Sequence, residues 1–452
     1  MKNKVLLIVE SCNPELSSVP LVGYNFFRLV ENFADVHLVT HCRNRSALER
    51  HGVLDNVTYY DQSRLEIIYY KVISFFSTFR GQVIWPIRHA LQFPIYFFFD
   101  RYVYREFSEK VKKGEYDVVH AMTPIMPRYP YKIIRACKSS AHKIPFILGP
   151  VNGGVPFPAA FKEIALKEFS YLNWIRKLGN WMLPGYRYTY SEADVILAGS
   201  TYTGSWIKKN FPNTENRVQL MYENGVAEQF YELRKVEREV EAHFEEDSSR
   251  KSDSSKLRLL FIGRLEPYKG CDMLVEAIGQ LDEKERKELK LTIVGDGSQR
   301  LELQEYTKKY RLSDTVEFKG WIAHSKVGIE YAKADLFCFP SVREFGGAVV
   351  MEAMASGLPC VVVDNGGIGE YVTGSSGIKI EPMGREHVVS KLRESILMLA
   401  RDRNLLSQMV SSAKTRATIF SWKHKREALS KIYENVIGSE NTESIISYPL
   451  IK

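Results

Sequence analysis

Two cationic side chains stand at one strand-to-helix turn in the second half of the sequence. Arg264 and Lys269 lie within residues 263–270, directly after an apolar run. Ligands bind in open α/β sheets at the loops that follow the carboxyl ends of the strands, and two cations in such a loop suit a diphosphate. A solvated turn in which Arg264 pairs with Glu266 explains the same residues. This segment alone leaves both interpretations open.

A second segment combines two carboxylates with a pair of glycines. Gly346 and Gly347 separate an apolar run from a helical pattern, Glu344 precedes them, and Glu352 lies in the helical pattern. Backbone N–H groups at a helix start bind phosphate, and glycines allow a ligand to approach closely. Carboxylates accept hydrogen bonds from paired hydroxyls such as those of a ribose or a hexose. Acids near a helix start also suit the helix dipole, but this reason does not account for Glu344 and the glycines together.

Short apolar runs that alternate with helical patterns must position these residues. One series lies at 5–9, 36–40, 116–120, 144–148 and 193–197, and another lies at 259–263, 291–295, 316–318, 336–340 and 360–363. Such alternation is typical of parallel, doubly wound α/β sheets. The sequence predicts an N-terminal Rossmann-like domain over 1–228 and a C-terminal one over 257–419. Between them, 229–256 is charged and Ser-rich, and it predicts a loop because it cannot bury enough apolar surface.

Composition is that of a globular protein large enough for two domains. The chain has 452 residues, of which 45% are hydrophobic and 26% charged, with a formal charge of +8. The six cysteines form no Cys-x-x-Cys pair, which favours reduced thiols. The N-terminus has no signal-peptide core, and no run of about 18 apolar residues predicts a membrane span. We expect a cytoplasmic protein, with the inner face of the plasma membrane as a further location.

Several ordered motifs make the second half resemble the retaining glycosyltransferases of family 4, which have the GT-B fold. They are the Glu-x7-Glu pair Glu344 and Glu352, the turn at 263–270, Val-Gly-Asp-Gly at 294–297, Phe-Lys-Gly-Trp at 318–321 and Gly-Gly-Ile-Gly-Glu at 366–370. The resemblance implies two Rossmann-like domains that face each other across a cleft. It also implies a C-terminal helix, at about 420–438, that crosses back to the first domain.

The same resemblance implies roles for individual residues of the second half. Arg264 and Lys269 would hold the donor diphosphate, Glu352 the ribose hydroxyls and Glu344 the transferred sugar. The other implied donor contacts are the residues that border the base and the backbone that cradles sugar and phosphate: Trp321, Ile322, Phe345, Gly346, Gly347 and Ala348. Asp296 and Gly297 are interpreted as turn residues.

The first half resembles the family less closely. His120 ends an apolar run, and the resemblance implies that it faces the donor sugar, although a structural histidine is the alternative. Asn152, Gly153 and Gly154 form a strand exit that could line an acceptor pocket or simply turn the chain. The first strand-to-helix loop departs from the family because Gly23 stands alone where many relatives carry a Gly-Gly pair.

The implied reaction moves a sugar from a nucleotide-diphosphate donor to a glycan or lipid-linked acceptor with retention of configuration. His120, Arg264, Lys269 and Glu344 would support the transition state, and the departing phosphate would take the acceptor proton. No Asp-x-Asp stands at a strand end, so cations and helix-start amides would act in place of a metal, and no cofactor is expected. A UDP-sugar is the favoured donor and GDP-mannose the alternative; a covalent intermediate on Glu344 is a further alternative mechanism.

Aromatic and basic residues are interleaved over 69–107. Such a mixture suits the headgroup boundary of an anionic membrane, and a pair of core helices with a basic outer face explains it equally. The membrane interpretation predicts a lipid-linked acceptor and a role in bacterial cell-surface polysaccharide or glycolipid synthesis. Nucleic acid is not an expected partner, because the motifs of the second half indicate a nucleotide sugar.

Three other functions are alternatives to sugar transfer. An oxidoreductase would need Gly-x-Gly-x-x-Gly after the first strand, where Glu-Ser-Cys-Asn-Pro stands at 10–14. A non-catalytic membrane or partner-binding protein could keep the scaffold, but the intact set of Arg264, Lys269, Glu344 and Glu352 argues against degeneration. An epimerase or a phosphorylase would share the fold and differ in reaction.

Overall fold

The computed structural model describes residues 2–79, 82–84, 87–88, 91–172, 183–232 and 256–438. Contacts divide the chain into two compact units. The first unit comprises Met1–Gly154, Ala165–Glu223 and Lys425–Lys452, and the second comprises Val155–Ile164 and Asn224–His424. Most of the predicted linker, residues 233–255, and the tail from 439 lie outside the described residues.

The first unit is built on a parallel sheet of seven strands with the order β3-β2-β1-β6-β7-β8-β9. These strands are β1 Lys4–Val9, β2 Asp35–His41, β3 Val57–Tyr60, β6 Val118–Thr123, β7 Phe146–Val151, β8 Val195–Ala198 and β9 Val218–Leu220. Strands β6, β7 and β8 are buried at every position. A parallel sheet is covered on both faces, which explains why its strands read as unbroken apolar runs.

Helices connect these strands. Those of the first half of the chain are α1 Val19–Glu31, α2 Arg45–Arg50, α3 Arg64–Phe76, α4 Phe93–Lys112, α5 Ile134–Ser139, α6 Lys162–Lys167, α7 Tyr186–Glu192 and α8 Thr201–Asn210. A two-stranded antiparallel pair, β4 Thr78–Phe79 and β5 Gln82–Val83, follows α3. Gly23, which the sequence placed in the first loop, lies within α1, and a Cβ there would be 2.2 Å from the Ser11 carbonyl oxygen, so this glycine lets α1 pack closely.

The second unit has a six-stranded parallel sheet with the order β12-β11-β10-β13-β14-β15. Its strands are β10 Leu257–Ile262, β11 Leu289–Val294, β12 Val316–Gly320, β13 Leu336–Phe339, β14 Cys360–Val363 and β15 Gly377–Ile380. Its helices, with the last helix of the chain, are α9 Cys271–Gly279, α10 Glu283–Lys287, α11 Arg300–Lys309, α12 His324–Ala332, α13 Ala348–Ala355, α14 Gly367–Tyr371, α15 Arg385–Arg401, α16 Arg403–Ala417 and α17 Trp422–Gly438.

Both sheets reverse their strand order beside their first strand. The reversal lies between β1 and β6 in the first unit and between β10 and β13 in the second. Loops on the two sides of such a point diverge and leave a crevice at the carboxyl ends of the strands. The prediction of two doubly wound, Rossmann-like domains is confirmed.

The division into units differs from the predicted boundaries at two places. The first unit ends its main part at Glu223, where the prediction had 228, and it includes α17 only from Lys425 onward, where the prediction had a crossing helix from about 420. In addition, Val155–Ile164 belongs to the second unit, which the sequence did not indicate. Two hydrogen bonds join this segment to the rest of the second unit. Arg343 Nε donates to the Val155 carbonyl at 2.9 Å, and Asn365 Nδ2 donates to the Pro156 carbonyl at 3.3 Å.

Candidate functional site

The sequence-predicted cations and acids of the second half meet at the reversal point of the second sheet. The loop after β10 carries Arg264 and Lys269, and the loop after β13 carries Glu344. Lys269 Nζ donates to Glu344 Oε2 in an ion pair, and both side chains are largely buried. An ion pair held away from water is costly to leave incomplete, so each group needs a partner of opposite charge or strong polarity.

Backbone contacts hold the two loops together. Gly270 has φ +72°, and a Cβ there would lie 2.3 Å from the Pro340 carbonyl oxygen, so only glycine allows this approach. Val342 N donates to the Tyr268 carbonyl at 2.9 Å, and Ser341 Oγ reaches the same carbonyl at 3.2 Å. The position of Lys269 beside Glu344 is therefore fixed by the main chain.

Arg264 does not pair with Glu266, which was the alternative explanation of the first loop. An Arg264 guanidinium N–H donates to the Tyr268 hydroxyl at 2.6 Å. The Glu266 carboxylate instead accepts from Ser298 Oγ at 2.6 Å. Arg264 is thus exposed and bonds Tyr268, whose ring centroid lies 5.2 Å from Lys269 Nζ.

Close packing also shapes the glycine-rich segment. Gly366 has φ +77° and lies against the Glu344 carbonyl, where a Cβ would be 2.0 Å from the oxygen, and Gly367 N donates to that oxygen at 3.1 Å. Gly347 precedes α13 with φ +28°, and no side chain caps that helix. A helix start without a side-chain cap presents amide N–H groups and a positive dipole end to an anion.

Glu352 lies one turn into α13 and is almost fully buried. Its Oε2 accepts from the Tyr331 hydroxyl at 3.0 Å, and its Oε1 is 3.0 Å from His324 Nε2. The hydrogen bond to Glu352 is the main cause that raises the pKa of His324 above its ordinary value. The Phe230 ring packs against both partners, with centroid separations of 5.9 Å and 5.8 Å.

Sequence reasoning missed His324 and Tyr331. His324 opens α12 only three residues after Trp321, so a polar ring at a helix start beside the predicted base-binding loop was an available signal. Tyr331 gives no such signal, because its reach to Glu352 depends on how α12 packs against α13. Trp321 and Ile322 follow β12, and the Trp321 side chain is 75% exposed. Their contact with a base stays a prediction.

Asp296 and Gly297, interpreted as turn residues, lie in the loop that follows β11. Asp296 Oδ1 accepts from Gly297 N at 2.8 Å, and Asp296 Oδ2 pairs with Arg300 at 3.0 Å. A Cβ on Gly295 would lie 1.9 Å from the Gly263 carbonyl oxygen, which explains the first glycine of this motif. Asp296 therefore shapes the loop beside Arg264.

In the first unit, His120 is fully buried with both ring nitrogens bonded. Nε2 is 2.6 Å from the Gly149 carbonyl and Nδ1 is 2.6 Å from the Tyr433 hydroxyl. A carbonyl only accepts, so Nε2 carries the proton and Nδ1 accepts from Tyr433. Burial lowers the pKa of His120 to about 4, although the bond to Gly149 opposes this, so the ring is neutral at pH 7. Its support of sugar transfer stays a prediction.

Asn152 lies in a buried polar network of the first unit. Its Nδ2 donates to the Glu223 carboxylate at 2.8 Å, and its Oδ1 accepts from Ser200 and Thr203, both at 3.0 Å. Gly153 and Gly154 follow it with φ of +150° and +83°. These residues lie in the loop that follows β7, and acceptor contacts from them stay a prediction.

Lys425, on α17, is a buried cation in the same unit that the sequence did not single out. Its Nζ donates to the Tyr222 carbonyl at 2.7 Å. Burial lowers the pKa of this ammonium to about 7, and the charge of Glu223 opposes the shift. No group of three or more His, Cys, Asp or Glu side chains within the described ranges could hold a metal ion.

Comparison with known families finds a match over the second half of the chain. Residues 243–416 match the family model described as glycosyl transferases group 1. The resemblance seen in the sequence is thereby confirmed at the level of group 1. The match covers the loops of Arg264, Lys269 and Glu344, together with Glu352, and extends through most of α16.

Curated relatives align over the same half of the chain. The D-inositol 3-phosphate glycosyltransferase of Nocardia farcinica is 33% identical over 180 residues, which are 38% of this chain and 39% of that protein. The glycogen synthase of Mycobacterium tuberculosis is 29% identical over 188 residues, which are 41% of this chain and 44% of that protein. The chain thus spans less than half the length of these relatives.

Solved structures resemble the whole chain in fold. HepE from Anabaena, solved in complex with UDP, has a TM-score of 0.58 at 16% identity, with 95% of this chain and 99% of that chain covered. WaaG, a glycosyltransferase involved in lipopolysaccharide biosynthesis, has a TM-score of 0.56 at 17% identity with the same coverage. At these identities the likeness shows the GT-B type of fold.

Proposed function

We propose that this protein is a family 4 glycosyltransferase that transfers a sugar from a nucleotide-diphosphate donor to an acceptor with retention of configuration. The observation that carries the proposal is the Lys269–Glu344 ion pair. It lies beside the cationic Arg264 and an uncapped helix start, at the reversal point of a parallel sheet. The group 1 family match over this unit supports the same reading.

The ion pair is suited to an exchange of partners when a donor binds. Lys269 and Glu344 neutralise each other in a largely buried position. A donor would bring a diphosphate to Lys269 and Arg264, and its sugar hydroxyls would become hydrogen-bond donors to Glu344. Both charges would stay compensated throughout, which lowers the cost of separating a buried pair.

The Glu352 carboxylate is oriented to accept hydrogen bonds from two neighbouring hydroxyls. Tyr331 and His324 each bond one of its carboxylate oxygens and fix the plane of the group. A carboxylate has about four acceptor sites, so both oxygens retain capacity for two neighbouring ribose hydroxyls. Such prior orientation reduces the entropy that donor binding must remove.

In the proposed reaction the acceptor oxygen attacks the anomeric carbon on the face from which the diphosphate departs. The bond between that carbon and the phosphate oxygen breaks, and the departing diphosphate takes the acceptor proton. Arg264, Lys269 and the first amides of α13 would stabilise the charge that develops on the leaving oxygen, in the role that a metal ion has in other transferases. His120 is proposed only as a support for this step.

A UDP-sugar is the proposed donor and GDP-mannose the alternative. Solved relatives of the same fold include HepE with UDP and with UDP-glucose. The proposed acceptor is a glycan or a lipid-linked sugar, met in the cytoplasm during cell-surface polysaccharide or glycolipid synthesis. The alternative from another functional class is a non-catalytic membrane or partner-binding protein on the same scaffold.

The first experiment is thermal unfolding with UDP, GDP and their sugars, on the wild type, Glu352→Ala and the control Glu305→Ala. Glu305 is an exposed glutamate of α11 outside the site. A ligand at about a hundred times its dissociation constant adds about 2.7 kcal/mol of stability. We expect one nucleotide series to stabilise the wild type and Glu305→Ala but not Glu352→Ala. If no nucleotide stabilises the wild type, the donor site and the enzymatic proposal both fail.

A further inference from the structure

Helix α3 of the first unit turns its one acidic residue, Glu66, toward the interior. Glu66 is buried, and its carboxylate accepts from the Tyr60 hydroxyl at 2.6 Å and from Ser63 N at 2.8 Å. Ser63 Oγ in turn accepts from Glu66 N, which completes a capping box. Ile73, two turns later on the same face, is the other buried residue of the helix. These two contacts fix which way the helix faces.

The opposite face of α3 carries an apolar stripe at helical spacing, i, i+3, i+7, i+10 and i+11. Its members are between 45% and 78% exposed: Leu65, Ile68, Val72, Phe75 and Phe76. An amphipathic helix of a globular protein normally buries such a stripe. A contiguous exposed apolar patch of this kind marks an interaction surface.

The next helix presents a smaller patch of the same type. Phe97 and Phe98, near the start of α4, are 40% and 47% exposed. Tyr69 of α3 donates to the Leu91 carbonyl just before α4 at 3.1 Å, and Tyr60 packs against the Tyr102 ring of α4 at 5.1 Å. The core of α4, in contrast, is buried at Tyr96, Phe99, Val103 and Phe107. The core-helix interpretation of 69–107 therefore fits α4, and among the described residues of this range the exposed large apolar side chains lie on α3 and at the start of α4.

The exposed charges of α3 itself are of one sign. Arg64 and Lys71 are exposed on α3, and Glu66, the one acid of this helix, is buried. Arg101 and Arg105 are exposed further along α4. Aliphatic and phenylalanine side chains with flanking cations suit the boundary between the acyl chains and the headgroups of an anionic membrane. Polar side chains that would form the rim of a protein interface are few on this face of α3.

We infer that α3 lies in the plane of an anionic membrane surface. Leu65, Ile68, Val72, Phe75 and Phe76 enter the headgroup boundary, and Arg64 and Lys71 meet lipid phosphates. At 13 residues the helix is about 20 Å long, which is too short to cross the hydrocarbon core. No helix among the described residues has the length and apolarity to span a membrane. This inference concerns a different surface from the donor site and does not depend on sugar transfer.

The test is co-sedimentation of the full chain with phosphatidylcholine vesicles, with and without phosphatidylglycerol as about a third of the lipid. The double variant Leu65→Ser/Phe75→Ser is compared with the wild type and with Leu301→Ser. Leu301 lies in the second unit and is 75% exposed, close to the 78% of Leu65. We expect the wild type and Leu301→Ser to bind the anionic vesicles and the double variant to bind at least tenfold more weakly.

Charge is tested separately with Arg64→Gln/Lys71→Gln against Lys308→Gln, which changes an exposed lysine of α11. Each lost cation should weaken binding to anionic vesicles about fivefold and leave binding to neutral vesicles unchanged. Equal binding of the wild type and the stripe variant overturns the inference, as does failure of the wild type to bind anionic vesicles. If the wild type self-associates and the stripe variant does not, a second copy covers the stripe and the inference is wrong. Unchanged far-UV circular dichroism and unchanged nucleotide-induced stabilisation establish that the variants remain folded.

Discussion

Both units carry polar side chains near the carboxyl edge of their own sheet, but they satisfy them differently. In the second unit, Lys269 pairs with Glu344, and Glu352 bonds a partly exposed histidine, so a polar ligand could replace each partner. In the first unit, His120 and Lys425 are fully buried and bond backbone carbonyls or a tyrosine hydroxyl. The difference teaches that polar side chains of similar chemistry can keep replaceable partners in one unit and be enclosed by backbone and tyrosine partners in the other.

Removal of the Lys269 charge should have the largest effect. We expect Lys269→Met to lower turnover of the nucleotide sugar about 10²–10³-fold, because one of the groups that stabilise the leaving diphosphate is lost. The measurement is release of nucleoside diphosphate, with acceptor or with water. Lys308→Met serves as the control, and equal rates for the two variants would remove Lys269 from the site.

The burial of Lys425 should make the free energy of unfolding depend on pH. The folded-state pKa of about 7 lies below the ordinary value of 10.5, so between these values the unfolded chain binds one more proton. The free energy of unfolding of the wild type should therefore rise with pH from about 7 to 10, relative to Lys425→Met, by about 2–4 kcal/mol. Urea unfolding at several pH values measures this. If the difference in free energy of unfolding between the wild type and Lys425→Met did not change with pH, Lys425 would be solvated. The contrast between the two units would then weaken.

His120 distinguishes a structural from a functional histidine. His120→Ala leaves the Tyr433 hydroxyl and the Gly149 carbonyl without partners in the core and should lower the free energy of unfolding by about 2–3 kcal/mol. Nucleotide affinity should stay the same, because His120 lies in the first unit. Tyr433→Phe is the matched variant that removes one of the two bonds. Full stability with slower turnover would instead assign His120 to the reaction.

The smallest expected effect concerns His324. Its pKa is raised in the folded state by Glu352, so its stabilisation is fully present below pH 6.5 and is lost as the pH rises through the folded-state pKa. The free energy of unfolding of the wild type should exceed that of His324→Gln by about 0.5 kcal/mol at pH 6 and by less at pH 8. The difference is small because the ring is partly exposed and the pair is screened by solvent. Denaturant unfolding with His387→Gln as control checks this. A difference that grows with pH would contradict the pairing.

Much of the fold could be predicted because its signals are local. The apolar runs at 5–9 and 259–263 became β1 and β10, and Asp296 bonds the main chain of its own loop after β11. The reversal point also follows from topology, so the meeting of the β10 and β13 loops was foreseeable. The partners within that site were not, since Arg264 bonds Tyr268 rather than Glu266.

The sequence by itself determined which residues can do chemistry and on which strand-to-helix loops they stand. The loop positions of Arg264, Lys269 and Glu344 and the helical position of Glu352 follow from strand periodicity and spacing, both of which act over a few residues, and their roles follow only from the family resemblance. The tertiary structure alone decided that Glu66 faces inward and the Leu65 stripe outward, and that Tyr331 reaches Glu352. These outcomes depend on partners from separate elements, because packing rather than periodicity selects which face of a helix is buried.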